Sequence, residues 1–290
     1  MTNTAIAPGA APAEFGPGPV QTPPVSHLGV ALRLLIAFVA GMAAYGPALL
    51  LTGLPGMDAR PDALAGNWWL ALLKQAGPLL TIPLLAVALI AAAARWLDGR
   101  PFAVTGIRFD RRWLGSLLLG TGVSLAIVVP AGVLLGRLGL VEVYPINANE
   151  PVWVAVVYVL VLGYVMQGLT EEFVWRGWLS QSIGGGRHRQ AVITSIGFGL
   201  IHILSNGGHA NFWEGAVYVT SAAAFGYAAC ALYFATGSIW AAVGIHGGLH
   251  LANYLAQSLG GGEGWPLELV QIALYGLIGF AVMRRLPAGN

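Results

Sequence analysis

Eight stretches of this chain are apolar over lengths that suit a bilayer: 29–53, 68–95, 113–136, 152–178, 190–206, 213–235, 238–257 and 266–284. A spanning helix needs about 20 mostly apolar residues, so these segments decide most of what the chain can fold into. Of its 290 residues, 57% are hydrophobic and only 9% charged, with a mean hydropathy of +0.72. A soluble domain carries about 25% charged residues. The expected fold is all-α: a polytopic membrane helical bundle of about eight transmembrane helices. The fifth and seventh segments are short or polar for spans, which suits helices that face a bundle interior rather than lipid.

The arginines set the expected topology, because cytoplasmic loops carry the excess of Lys and Arg. Arg95, Arg100, Arg108, Arg111 and Arg112 follow the second segment, Arg187 and Arg189 the fourth, and Arg284 and Arg285 the last. With eight spans all of these fall on one side, and the opposite loops offer only Arg60 and Arg137. Both termini are therefore expected in the cytoplasm, with the chain in the bacterial cytoplasmic membrane. The Pro, Ala and Gly-rich residues 1–27 read as a disordered tail. Residues 28–112 read as N-terminal membrane helices with a basic loop, and 113–286 as the functional core.

Other features exclude more than they assign. A net charge of +2 gives no argument for a nucleic-acid partner, and the single cysteine, Cys230, rules out an internal disulfide or a cysteine zinc cluster. Cys230 sits in an apolar run and is expected to pack as a small hydrophobe. Gly132 with Gly136, and Gly244 with Gly248, have the G-x-x-x-G spacing of closely packed helices. The glycine runs 184–186 and 260–262 read as loops, without the lysine or strand context of a phosphate loop.

Against this apolar background stands Thr170-Glu171-Glu172-Phe173-Val174-Trp175-Arg176. A charge near the bilayer centre costs roughly 2.5–3.5 kcal/mol on insertion scales, so such groups usually mark function. Glu172 and Arg176, four apart with the acid first, have the favourable order for a helical ion pair. Glu171 is rotated about 100° from its neighbour, which leaves it free to act. His202 lies in the fifth segment. His246 and His250 share a face of the seventh, and Asn253 extends that face. The H-x-x-x-H spacing departs from the zinc-protease H-E-x-x-H helix because Gly247 stands where the glutamate would be. Any carboxylate base must come from another helix, and Glu171 is the candidate. A carboxylate with two or three imidazoles suits activation of water. Glu171, His202, His246 and His250 could bind zinc or simply hold that water, and the sequence does not decide between zinc and no cofactor. All four are expected to meet in the cytoplasmic half of the bilayer. His188 and His209 are expected in loops and His27 at the tail.

Taken together, Glu171-Glu172-Phe173-Val174-Trp175-Arg176, Phe198 through His202, and His246 through His250 resemble the signature of the CPBP intramembrane proteases. This family includes the type II CAAX prenyl endopeptidases and bacteriocin-immunity proteins. Its pattern is E-E-x-x-x-R, F-x-x-x-H and H-x-x-x-N or D on successive core helices, and His250 stands where the family usually has Asn or Asp. The resemblance implies a CAAX-type endopeptidase. Glu171 would activate water, His202 would help hold it, and His246 and His250 would stabilise the oxyanion. Glu172, Arg176 and Asn253 would be supporting. The implied partners are a peptide or protein substrate, with or without a lipid, and the bilayer itself, with cleavage near the cytoplasmic face. Two other classes fit the same residues: a non-catalytic scaffold or immunity protein, and a transporter of ions or metals.

Overall fold

In a computed structural model, residues 25–57, 66–101, 107, 109–144, 150–204 and 210–286 are described. Residues 1–24 of the tail expected to be disordered, with Arg60, Arg108 and His209, lie outside the described residues, while Val25, Ser26 and His27 are ordered and lead into the first helix.

Among the described residues the chain forms eight helices: α1 (His27–Thr52), α2 (Trp68–Trp96), α3 (Trp113–Arg137), α4 (Val152–Ser182), α5 (Arg187–Ile201), α6 (Phe212–Thr236), α7 (Ile239–Ser258) and α8 (Trp265–Arg285). Each coincides with one of the eight apolar stretches. Six are long and apolar enough to cross a membrane, and α5 and α7 are the two that are not. α5 is only 15 residues long, and every residue of α7 from Ile239 to Gly248 is buried inside the bundle. His188 lies in the first turn of α5 rather than in a loop, and His27 opens α1.

Local chemistry sets several of these elements. Ser26 caps α1 by accepting from the Gly29 amide, and Asn211 caps α6 by accepting from the amides of Trp213 and Glu214. α2 breaks at Leu80, where Pro83 cannot donate the bond that Leu79 would accept. α1 turns Ala37, Ala40, Ala44 and Ala48 inward at helical spacing, and α2 meets it with Ile82, Ala86, Ile90 and Ala94. Small residues let these backbones approach closely.

The tightest seam joins α3 to α7. A Cβ on Gly120 or Gly244 would strike the backbone of the facing helix at Ala241 or Leu117, and one on Gly248 would lie 2.7 Å from the Thr121 Cα. Gly132 and Gly136 continue the seam against Ala256 and the loop at Gly260. Both expected glycine pairs thus serve one interface, with Gly120 as a further member. Hydrogen bonds reinforce it. Thr121 donates to the Gly244 carbonyl and Ser124 to that of Ile245, at 3.2 and 2.6 Å, while Tyr164 and Tyr275 donate to those two hydroxyls at 2.9 Å.

Contacts also fix which helix ends lie together. At one end the Val25 amide bonds the Ile183 carbonyl, Arg33 pairs with Asp98 at 2.6 Å, Trp178 donates to Asp98, and Arg100 donates to the Gln181 carbonyl. At the other, Glu142 and Glu263 form a two-residue antiparallel bridge. α7 leaves the first end beside the start of α3 and reaches the second beside Gly136.

Candidate active site

α4 is not a uniform helix. It is α-helical over Val152–Leu160, widens to π turns over Val161–Leu169, tightens for Thr170–Glu172 and widens again over Phe173–Leu179. The two glutamates occupy the short α step between the wide turns. Such π segments change which side chains share a face, and they recur at functional sites. Apolar patterning carries no mark of a widened turn, so these π segments have no signal in the sequence, which predicts a plain α-helix here.

Glu172 and Arg176 are both fully buried and bonded at 3.0 Å between Oε1 and Nη1. The pair expected from their spacing is formed. Glu172 has a second duty that the sequence did not reveal, since its Oε1 also lies 2.8 Å from His246 Nδ1. A carboxylate beside an arginine accepts, so Nδ1–H of His246 donates to it and the tautomer of the ring is set. The remaining nitrogen, Nε2, points at Glu171, 4.0 Å from Oε2. Glu171 Oε1 accepts from the Tyr45 hydroxyl of α1 at 3.3 Å, while its Oε2 has no hydrogen-bond partner. Tyr45 belonged to no motif, and a tyrosine in an apolar helix gave no signal of this contact.

His202 stands at the end of α5, where its Nδ1 donates to the Phe198 carbonyl at 2.7 Å. The Phe198 ring lies 4.6 Å from the His202 ring and 6.3 Å from that of His246, and the Arg176 guanidinium stacks 4.4 Å from its centroid. Phe198 is therefore the spacer that holds all three groups, with a cation–π contact as part of the fit. Gly226 makes room for the guanidinium, since a Cβ there would sit 2.6 Å from Nη2.

His250 stacks on His246 with ring centroids 5.7 Å apart. Its Cβ faces Gly163 on the first wide turn of α4, where an added Cβ would come within 2.8 Å. Asn253 lies one turn further along the wall, with its Oδ1 buried and without a hydrogen-bond partner. Gly247 touches the Tyr164 ring so closely that any side chain there would overlap it. The glutamate of an H-E-x-x-H helix could not be accommodated in this packing.

Glu171, His202, His246, His250 and Asn253 line one cavity of about 1120 Å³. Glu172 and Arg176 stand behind its wall. Among the described residues, no three His, Cys, Asp or Glu side chains are spaced to hold a metal ion. The Nδ1 nitrogens of His202 and His246 bond a carbonyl and a carboxylate, so any ligand role of these two rings falls to Nε2, while His250 stacks on His246.

The fold and site together define a polytopic membrane protein with a carboxylate and histidine cluster inside its bundle. Residues 152–252 match the family model of the type II CAAX prenyl endopeptidase Rce1-like proteins, in agreement with the resemblance carried by the three motifs, all of which lie inside the match. No curated protein matches the chain.

Proposed function

We propose that this protein is an intramembrane endopeptidase that hydrolyses a peptide bond with a water activated by Glu171. The family match supports a protease acting on a peptide or protein in a membrane setting. The observation that carries the mechanism is the 4.0 Å gap between Glu171 Oε2 and His246 Nε2 on the cavity wall. Two acceptors at that separation suit one water, whose two O–H bonds they would each receive.

In this mechanism Glu171 takes a proton as the water oxygen bonds to the scissile carbonyl carbon, and the carbonyl electron pair moves to oxygen. His250 and the Asn253 amide are the wall groups able to donate to that oxyanion. His202 helps hold the water. Collapse of the tetrahedral intermediate breaks the C–N bond, and Glu171 returns its proton to the leaving amine. Glu172 acts through His246, fixing its tautomer and orientation, and Arg176 holds Glu172 in place through their buried pair. No step passes through a metal.

The test is cleavage of a membrane peptide by the purified protein and its Glu171→Gln and His202→Ala variants. Both are expected to lose activity while remaining folded. Undiminished proteolysis in both would end this reading, and retained biological activity in a folded Glu171→Gln protein would favour the scaffold instead.

A further inference from the structure

The cavity does not open at the arginine-rich end of the bundle. Its wall runs from Glu171 and His246 to Gly139, Leu140, Glu142 and Tyr144 after α3, and to Glu263 and Trp265 before α8. Leu140, Tyr144 and Trp265 are all about half exposed, at 55%, 52% and 49%, so this is its mouth. Arg33, Asp98, Arg100 and Ile183 are held together at the opposite end, where α5 begins with Arg187 and Arg189. α8 starts at the mouth beside Glu263 and runs parallel to α6, as the Ser221–Gln271 bond and the Gly279–Ala228 contact show, so Arg284 and Arg285 also fall at the far end.

Charge divides the same way. Among the described residues lining the cavity there is no lysine or arginine, and there are five glutamates: Glu171 inside, with Glu142, Glu214, Glu263 and Glu268 toward the mouth. Among the described residues, none of the outer four forms an ion pair with a lysine or arginine. Glu214 accepts from the Ala210 amide and Asn211, Glu263 from Gln257 and Glu142 from Tyr144, all of them neutral groups. One oxygen of Glu268 is buried without a hydrogen-bond partner. A cleft with low-dielectric walls and one sign of charge focuses its field on ligands of the opposite sign.

Because arginine-rich ends lie in the cytoplasm, we infer that the site takes its peptide from the non-cytoplasmic side and selects a segment bearing Lys or Arg beside the bond to be cut. This departs from the cytoplasmic-face cleavage expected from sequence. The cleavage half rests on the proposed hydrolase reading; the side of entry and the charge preference do not. The cavity lining also includes exposed, apolar Met42 and Leu204, which suits a membrane-bound peptide.

Two measurements test it without relying on proteolysis. In a Cys230→Ala background, Leu140→Cys and Arg285→Cys proteins are treated in intact cells with a membrane-impermeant maleimide. Labelling of Leu140→Cys from outside, with Arg285→Cys labelled only after permeabilisation, is expected; the reverse pattern overturns the side of entry. Binding of a fluorescent lysine-flanked apolar peptide to the detergent-purified protein is then compared with that of its neutral analogue. The lysine peptide is expected to bind about tenfold more tightly at low salt, with the difference lost in a Glu142→Gln, Glu263→Gln, Glu268→Gln protein. Equal binding of the two peptides by the unmodified protein overturns the charge preference. A protein that passes both tests yet cuts nothing would refute the hydrolase reading alone.

Discussion

Glu171 and Glu172 are neighbours in the chain with different surroundings. Glu172 is enclosed with Arg176 and His246, while Glu171 faces the cavity with a tyrosine hydroxyl at its side. Removing one member of a buried ion pair strands the other and costs about 3–5 kcal/mol. Arg176→Leu is therefore expected to lower the thermal midpoint sharply, and Glu172→Gln to lower stability and activity together. Glu171→Gln should unfold at the same temperature as the parent and lose at least about 100-fold in cleavage rate. Thermal unfolding alongside a peptide-cleavage assay separates the two, and equal stability with equal activity loss for Glu171→Gln and Glu172→Gln would contradict this division. Tyr45→Phe removes a single hydrogen bond worth about 0.5–1.5 kcal/mol, so a several-fold fall in rate with an unchanged fold is expected. The Glu172–Arg176 pair was legible because i, i+4 spacing is a local property. The Glu172–His246 and Tyr45–Glu171 contacts were not, because they join helices far apart in sequence and no spacing rule reaches across them.

The helices themselves were readable from hydropathy, including the two that proved too short or polar to span. What hydropathy could not carry was the shape of α4. Its wide turns bring Gly163 against His250 and Tyr164 against Gly247, so they fix the spacing between the glutamates and the histidine face. Gly163→Val should therefore push His250 away from His246 and destabilise by about 1–3 kcal/mol, the usual cost of overpacking, measured as a lower unfolding midpoint with impaired cleavage. Gly247→Glu would write H-E-x-x-H into α7. It is expected to misfold against the Tyr164 ring rather than gain zinc, as metal analysis of the purified variant will show. The glycine pairs were visible as a pattern, but their partner Gly120 was not, since it has no i+4 glycine of its own.

At the scale of the molecule, residues outside the family match complete the site. Tyr45 and Ala37 of α1 line the cavity, and Arg33 ties α1 to Asp98 and through it to Trp178. A chain that begins at Trp113 is expected to elute as aggregate from size-exclusion chromatography and to show no cleavage. The sidedness of the arginines was legible from sequence, but the direction in which the cavity opens was not. That depends on which loops close over the bundle, and only the packing of 139–144 and 263–268 reveals it. The glycine seam between α3 and α7 has a mechanical outcome. Where backbone lies on backbone there is no side-chain cushion to slide on, so α7 acts as a stator and His246 and His250 keep their positions. α1 carries Tyr45 on the opposite wall, so widening the passage is expected to displace α1. Paired spin labels should register a variable distance between α1 and α4 and a sharp, constant one between α3 and α7. On that account, admitting a peptide draws Tyr45 away from Glu171, and the base is re-seated only when the wall closes behind its guest.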